Sequence, residues 1–264
     1  MICHTSDWHL DHDNVIRFDN RPDSDIDSMN ARIIETTNQY VGEKDWLVYH
    51  GDILMNKKID RDDIAGYVNR IKYFLDQLRC KNIIFVGGNH DRLYLRRFGE
   101  YRPNWAFWDL FRQWECGCCH TIYDSSRRFG CPVLCRRECC YDLSDQRPVY
   151  HVHPMGYELR LTKKLCADHN IPVEFDGMLI VCTHYSHRVW NKSHHKKNDN
   201  LGRAINLYGH SHGGLPGIKN SFDVGFNVWN RPLSLVEILT KLMPEHNQTE
   251  VGSVYFGHHN NERE

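Results

Sequence analysis

Aspartate, asparagine and histidine residues form five short groups along this sequence. In chain order the groups are Asp7-Trp8-His9, Gly51-Asp52, Gly88-Asn89-His90-Asp91, His184 and Gly209-His210-Ser211-His212. Carboxylate and amide oxygens together with imidazole nitrogens suit borderline divalent metals such as Mn, Fe or Zn, and the set contains no thiolate. Taken singly, each group is as easily explained as a turn or a loop, so the prediction of a metal site depends on all five occurring in order.

Each group lies at the end of a short apolar run that has the length and composition of a β-strand. The runs are residues 1–7, 45–52, 82–91, 178–184 and 205–212. Because ligands gather at the carboxyl ends of strands in α/β sheets, five such ends can converge on one site. Side chains two residues apart in an extended segment project to the same side, so Asp7 and His9 are expected to face one centre, as are His210 and His212.

Helical spacing of apolar residues occurs between the first three runs. It predicts one helix over about 25–41, capped by Ser24 or Asp25, and another over about 60–79, with aspartates in its first turn. The resulting β-α-β-α-β order predicts an α/β fold of stacked layers. The pattern resumes near 178 and ends in a strand-like run at 221–229 and an apolar segment at 233–242.

Size, charge and hydropathy limit the class of protein. The 264 residues carry 33 Lys+Arg and 34 Asp+Glu, which excludes binding of nucleic acid by uniform positive charge but permits a local basic patch. No apolar run approaches the roughly 18 residues of a membrane span. The N-terminal residues turn polar too early for a signal peptide, so a cytoplasmic location is expected.

The sequence predicts one domain over 1–243, with an insertion at about 93–176 and a polar tail at 244–264. It predicts no particular oligomeric state.

The order of the five groups resembles that of the calcineurin-like metallophosphoesterase superfamily. Four flanking segments are similar to a subgroup of small bacterial and phage phosphoesterases: TSDWHLDHDNVIRFDNRP, THYSHRVWNKS, LYGHSHG and FDVGFNVWNRPLSLVEI. The resemblance covers roughly 1–91 and 178–240 but not the segment between them. It implies a β-sandwich flanked by helices, in α/β/β/α layers, with a Cys-rich insertion.

The resemblance also implies a role for each group. One divalent ion would be held by Asp7, His9 and His212, a second by Asn89, His184 and His210, and Asp52 would bridge the two. A metal-bound hydroxide would be the nucleophile, His90 would be the general acid, and Asp91 would orient His90. The ions would be Mn, Fe, Zn or Ni, with Mn favoured. Two such ions neutralise phosphoryl oxygens and generate hydroxide near neutral pH, and an ordinary histidine pKa suits proton delivery.

Basic residues near the first and fourth groups have two explanations. They form either a positive rim that receives an anionic substrate or an ordinary solvated surface. The candidates for substrate binding are Arg17, Arg21, Arg188 and Lys192.

Seven of the 11 cysteines fall between residues 116 and 140. Spacings of two to four residues between thiols occur in structural zinc sites, for which the candidate ligands are Cys116, Cys119, Cys135 and Cys139. Reduced, unligated thiols and disulfides are the alternatives, although disulfides are rare in the cytosol.

The predicted function is metal-dependent hydrolysis of a phosphodiester, in a nucleotide or a nucleic acid. One alternative is a phosphomonoesterase acting on a small molecule or a protein. An alternative of another class is a non-catalytic module that binds nucleic acid through the basic, Cys-rich insertion. The loops decide among substrates, and the sequence does not reveal their shape.

Overall fold

The computed structural model describes residues 1–60, 63–91, 149–153, 156–194, 203–215 and 220–243. The strands in these ranges are β1 (Ile2–Thr5), β2 (Trp46–Tyr49), β3 (Asn82–Val86), β4 (Val149–His153), β5 (Tyr157–Arg160), β6 (Leu179–Cys182), β7 (Ala204–Tyr208), β8 (Ser221–Asp223) and β9 (Leu233–Ser234). The α-helices are α1 (Asp13–Phe18), α2 (Ile26–Tyr40), α3 (Ile64–Asp76), α4 (Lys163–Asp168), α5 (Phe226–Trp229) and α6 (Leu235–Leu242), and a 3₁₀ turn covers Val173–Phe175.

The strands form two mixed sheets. The first has the order β4-β3-β2-β1-β9, in which β1 to β4 are parallel and β9 is antiparallel to β1. The second has the order β5-β6-β7-β8, in which β5 is antiparallel to β6 and the other pairs are parallel. Parallel strands end at the same edge of a sheet, so the segments that follow β1, β2 and β3 leave the first sheet together, as do those that follow β6 and β7.

The strands β1, β2 and β3 of the first sheet are buried on both faces, as expected of parallel strands covered on each side. Leu47 of β2 packs in a cluster with Ile33 of α2 and Phe74 of α3. The next residue, Val48, points to the opposite face and packs in a second cluster with Ile180 of β6. Helices therefore cover one face of the first sheet, and the second sheet covers the other. The predicted α/β fold is confirmed.

Side-chain caps begin the two long helices close to their predicted starts. The Asp25 carboxylate accepts the backbone N–H of Ser28 at 2.8 Å, and the Ser28 side chain completes a capping box. The Asp63 carboxylate accepts the backbone N–H of Gly66 at 2.8 Å. The predicted helices over 25–41 and 60–79 are observed at Ile26–Tyr40 and Ile64–Asp76.

Two stretches differ from their predicted structure. The run 221–229 is a strand only in β8, because the Asp223 carboxylate accepts the N–H of Gly225 at 2.8 Å and the chain then turns into α5. Residues 149–176 belong to the predicted insertion, yet they contain β4, β5 and α4. Leu159 and Leu165 from this stretch are buried in the cluster between the sheets, so it forms part of the core.

Two predicted segments lie outside the described residues: the rest of the insertion, to residue 148, and the tail at 244–264. The candidate zinc ligands Cys116, Cys119, Cys135 and Cys139 also lie outside them. The described cysteines, Cys3, Cys80, Cys166 and Cys182, are free thiols and are buried. None of the described helices has the length and apolar character needed to cross a membrane.

Candidate metal centre

The five polar groups meet where the strands of both sheets end. Asp7 follows β1, Asp52 follows β2 and Asn89 follows β3. His184 follows β6, and His210 and His212 follow β7. The Asp and His side chains form overlapping groups of three, and within each group the donor atoms lie within 4.8 Å of one another; Asn89 Oδ1 lies 2.8 Å from His184 Nε2. The tertiary structure therefore brings together all seven residues that the sequence suggested as metal ligands.

The first cluster consists of Asp7, His9 and His212. The Nε2 atoms of His9 and His212 lie 3.2 Å apart, and Asp7 Oδ1 lies 3.9 Å from each of them. Asp7 Oδ1 is buried and has no hydrogen-bond partner among the described residues. A buried oxygen without a partner, facing two imidazole nitrogens, fits a divalent cation because the cation would satisfy all three donors.

The second cluster contains Asp52, Asn89, His184 and His210. His184 Nε2 lies 2.8 Å from Asn89 Oδ1 and 3.3 Å from Asp52 Oδ2, and one ring nitrogen of His210 completes a group with Asp52 and His184. Asp52 Oδ2 also lies 3.9 Å from His9 Nε2 in the first cluster. The Asp52 carboxylate therefore lies between the clusters, where it could be shared by two ions.

Five of the seven ligand candidates have a left-handed backbone, with φ between 49° and 64°: Asp7, His9, Asp52, His210 and His212. This conformation is uncommon for residues other than glycine and raises the energy of the backbone. It turns the chain sharply after β1, β2 and β7. Asp7 and His9 are therefore not neighbours on one side of an extended segment, as the sequence pattern suggested, and they face the same centre because the chain bends.

Glycines allow the ligand loops to approach one another closely. A Cβ on Gly88 would overlap the Asp52 carboxylate, and a Cβ on Gly209 would overlap the Ser6 hydroxyl and approach Asp7 Oδ2 to 2.5 Å. Each glycine directly precedes a ligand group, so the same short motif supplies a metal donor and the space that a neighbouring donor needs.

Outer hydrogen bonds set the proton position on two of the histidines. His184 Nδ1 lies 2.7 Å from the carbonyl oxygen of His50, and His212 Nδ1 lies 2.9 Å from both carboxylate oxygens of Asp19. Carbonyls and carboxylates only accept hydrogen bonds, so both Nδ1 atoms carry protons and both Nε2 atoms face the clusters. This is the usual second layer of contacts around histidine ligands of metals.

Burial and charge shift the acid–base behaviour of the ligands. Burial raises the pKa of Asp7 to about 6. Burial would also raise the pKa of Asp52, but the hydrogen bond and charge of His184 lower it to about 2. Burial would lower the pKa of His184, but Asp52 raises it to about 9. Without a metal, Asp52 and His184 therefore form an ion pair, and a divalent cation would replace the proton on His184.

Asp91 is placed differently from its expected role. Among the described residues, its carboxylate hydrogen-bonds to backbone N–H groups and not to the His90 ring. It accepts from Asp52 at 2.7 Å, from Gly88 at 2.8 Å and from Ile53 at 3.4 Å. Burial, and then the charge of Asp52, raise the pKa of Asp91 to about 7. The expectation that Asp91 orients the His90 side chain is corrected: it holds the loop that carries Asp52.

His90 lies at the edge of the centre. Its backbone N–H donates to Asp52 Oδ1 at 2.9 Å, and its Nε2 lies 3.8 Å from Asp52 Oδ2. The side chain is 34% exposed, in contrast to 1% for Asp52. The His90 ring can therefore reach both the centre and a ligand that arrives from solvent.

The basic residues expected at a substrate rim have different positions. Arg17 and Arg188 are exposed, and Lys192 is partly buried. Arg21 is buried and donates to the carbonyl oxygens of Trp8, at 2.7 Å, and Asp7, at 2.9 Å. The expectation that Arg21 binds substrate is therefore corrected, because its guanidinium is occupied beneath the first motif.

Sequence reasoning missed Asp19 and the true position of Arg21. Both residues lie in the segment TSDWHLDHDNVIRFDNRP, whose similarity to phosphoesterases extends well past its two ligand candidates. That extension was the available signal. Nothing in the spacing indicated a contact with His212, which is 193 residues away from Asp19.

A family model described as calcineurin-like phosphoesterase matches residues 1–214, most of this 264-residue chain. The chain belongs to the calcineurin-like phosphoesterase family. The mixed α/β fold with two sheets is consistent with this family, and its His/Asp clusters could bind the divalent metals that such phosphoesterases use.

A relative and a solved structure are also similar to this chain. Uncharacterized protein MJ1445 of Methanocaldococcus jannaschii is 34% identical over 97 residues, which are 36% of this chain and 46% of that protein. This chain therefore spans about half the length of that relative. The crystal structure of protein of unknown function AQ665 from Aquifex aeolicus has 14% identity and a TM-score of 0.44, and the match covers 91% of this chain and 98% of that one.

Proposed function

We propose that this member of the calcineurin-like phosphoesterase family hydrolyses phosphodiesters in a nucleotide or nucleic acid, with two divalent metal ions. The observation that carries the proposal is the position of the Asp52 carboxylate between two clusters of donors. Its Oδ2 atom lies 3.3 Å from His184 Nε2 in one cluster and 3.9 Å from His9 Nε2 in the other. A shared carboxylate is the feature that allows two cations to lie close together.

The chain would divide its donors between the two ions around Asp52. Asp7, His9 and His212 would hold one ion, and Asn89, His184 and His210 the other. When bound, two divalent ions would supply positive charge against the phosphoryl oxygens and lower the pKa of an attacking water toward neutrality. Mn is the favoured metal because the donor set is rich in oxygen and imidazole and has no thiolate.

His90 would act as the general acid. Its ring is close to Asp52 but remains partly exposed, so a bound phosphoester could reach it from solvent. The hydrogen bond from its backbone N–H to Asp52 Oδ1 fixes the main chain at the start of this side chain. The ring would donate a proton to the leaving oxygen as the phosphorus–oxygen bond breaks.

The position of Arg21 favours a diester. Arg21 is turned away from the centre, so it adds no direct contact to substrate. A phosphodiester carries one negative charge at each phosphate, whereas a monoester carries nearly two. A diester therefore needs less positive charge around it.

A location in the cytoplasm is also part of the proposal.

Hydrolysis of bis(p-nitrophenyl) phosphate by the full chain with added Mn²⁺ tests this function. We expect Asp52→Asn to abolish Mn-dependent hydrolysis, because the neutral amide cannot bridge two cations. Asp13→Asn is the matched control, since it removes one exposed carboxylate near the first motif and should retain activity. A wild-type protein that binds two Mn²⁺ ions and hydrolyses no phosphoester would overturn the proposal.

A panel of substrates tests the finer part of the proposal. The panel comprises a monoester, a linear diester, cyclic nucleotides, and single- and double-stranded nucleic acid. We expect higher kcat/KM for diesters than for the corresponding monoesters. Preference for monoesters would instead favour a phosphatase, and tight binding of nucleic acid without hydrolysis would favour a non-catalytic module.

A further inference from the structure

We propose that Asp19 and Arg21 form a positioning pair for one of the two metal ions: Asp19 aligns the ring of His212, and Arg21 holds both Asp19 and the backbone of the first motif. Neither residue belongs to the ligand set. The inference rests on the proposed metal centre, because it concerns how that centre is held in shape.

Asp19 contacts His212 on the side of the ring that faces away from the cluster. The carboxylate accepts from Nδ1 at 2.9 Å through both of its oxygens. Its side chain is 10% exposed, and that of His212 is 24% exposed, so the contact is mostly shielded from solvent. It leaves His212 Nε2 directed at His9 Nε2, 3.2 Å away. A carboxylate in this position fixes the tautomer and orientation of the ring and increases the basicity of the ligand nitrogen.

Arg21 connects Asp19 to the backbone of the first ligand, Asp7, and of the residue that follows it, Trp8. One guanidinium nitrogen donates to Asp19 Oδ2 at 3.2 Å and to the carbonyl of Asp7 at 2.9 Å, and the other donates to the carbonyl of Trp8 at 2.7 Å. Asp7 and His9, which flank Trp8, both have left-handed backbones. Arg21 therefore satisfies carbonyls in a stretch whose backbone conformation is unfavourable.

The helix α1 delivers both residues to this position. The backbone N–H of Asp19 donates to the carbonyl of Val15 at 2.9 Å, and that of Arg21 donates to the carbonyl of Ile16 at 2.8 Å. Val15 is buried in the core, so the turn that carries the pair is anchored to the fold. The same pair joins a ligand that follows β1 to one that follows β7, on different sheets.

The test is calorimetric titration of the metal-stripped full chain with Mn²⁺. We expect Asp19→Ala to weaken binding at one of the two sites by about 10–100-fold, the usual effect of losing an outer partner of a metal ligand, and to leave the other site closer to wild type. Asp19→Asn keeps an acceptor but loses the charge, so it should give a smaller loss. Arg21→Lys should also weaken one site, because an ammonium group cannot reach both carbonyls and Asp19 in the same geometry.

Two controls separate positioning from a general effect on the fold. Asp13→Ala removes an exposed carboxylate from the start of α1 and should leave both affinities unchanged. The thermal midpoint of each metal-free variant reports on the fold itself. Electron paramagnetic resonance of protein with two equivalents of Mn²⁺ should show less of the spin-coupled pair in Asp19→Ala than in wild type.

The outcomes also separate this inference from the proposed function. Wild-type affinities at both sites in Asp19→Ala or Asp19→Asn would overturn the positioning pair and leave the hydrolytic function standing. Two Mn²⁺ ions bound without hydrolysis would overturn the function, while a selective loss of affinity in the variants would still support the pair. A wild-type chain that binds no Mn²⁺ would overturn both.

Discussion

The buried carboxylate of Asp91 accepts the backbone N–H of Asp52 at 2.7 Å, across 39 residues of chain. The same oxygen accepts the N–H of Gly88 at 2.8 Å. One acidic side chain therefore holds the loop after β2, which carries the bridging candidate, against the loop after β3. This contact explains how Asp52 can keep a left-handed backbone at the middle of the centre.

Asp91→Ala is expected to destabilise the metal-free protein. It leaves the backbone donors of Asp52 and Gly88, and the more distant one of Ile53, without this acceptor, and each such buried group costs about 1–3 kcal/mol. Urea unfolding followed by circular dichroism measures the change. Asp91→Asn is the matched control, because its amide oxygen can still accept from Asp52 and Gly88, so its loss should be smaller. Equal unfolding free energies for wild type and Asp91→Ala would contradict this role.

Gly88→Ala is expected to disturb both stability and metal binding. The new methyl group would overlap the Asp52 carboxylate, and overpacking of this kind costs about 1–3 kcal/mol. Gly177→Ala is a useful comparison, since Gly177 has a φ of 80° but open space around it. That variant should lose roughly 1–2 kcal/mol from backbone strain alone and bind Mn²⁺ normally. Normal Mn²⁺ binding by Gly88→Ala would show that the loops do not need this close approach.

Binding of Mn²⁺ near pH 7.5 is expected to release about one proton from His184. In the metal-free protein the charge of Asp52 outweighs the effect of burial and raises the pKa of His184 to about 9, above the 6.5 of an ordinary histidine. The ion pair therefore contributes its full stability only between about pH 4 and pH 6.5. It loses this stability as the pH rises toward 9, where His184 gives up its proton, and as the pH falls toward 2, where Asp52 takes one up. Mn²⁺ affinity should increase as the pH rises from 6.5 toward 9, because fewer protons compete for Nε2.

Calorimetry in buffers of different ionisation enthalpy measures this proton release directly. His184→Gln supplies the control, since it removes the titrating group and should remove most of the buffer dependence. Identical binding enthalpies for wild type in all buffers at pH 7.5 would contradict the proposed exchange of a proton for a metal ion.

His90→Ala is expected to lower kcat without changing the number of Mn²⁺ ions bound. General acid catalysis usually contributes about 10²–10⁴-fold, and it matters most when the leaving oxygen is basic. The loss should therefore be large for nucleoside or alkyl esters and small for p-nitrophenyl esters, whose leaving group needs no proton. An equal loss for both kinds of ester would indicate that His90 has another role.

Much of the local structure could be predicted because short patterns determine it. The spacing of Met29, Ile33 and Ile34, with Ser24 or Asp25 as cap, predicted α2 to within one residue at each end, and the structure has Asp25 as the cap. The polar groups at strand ends predicted which side chains would converge, although their assignment to individual ions stays a prediction. The stretch 149–176 was harder to predict from its own sequence. Its short strands β4 and β5 depend on pairing with β3 and β6, which local sequence does not reveal.

The sequence by itself determined the kinds of metal-ligand atom in this protein and their order along the chain. The residue type fixes the chemistry of each ligand atom, and the apolar run before each ligand predicts the strand that carries it. Only the tertiary structure decided which residues hydrogen-bond to the ligands and to the loops that carry them. Arg21 faces the carbonyls of the first motif rather than substrate, Asp91 holds the Asp52 loop rather than the His90 ring, and Asp19 meets His212 across 193 residues. The physical reason is that a hydrogen bond depends on the distance and direction between two groups. For groups far apart in the sequence, the packing of the two sheets determines that distance and direction.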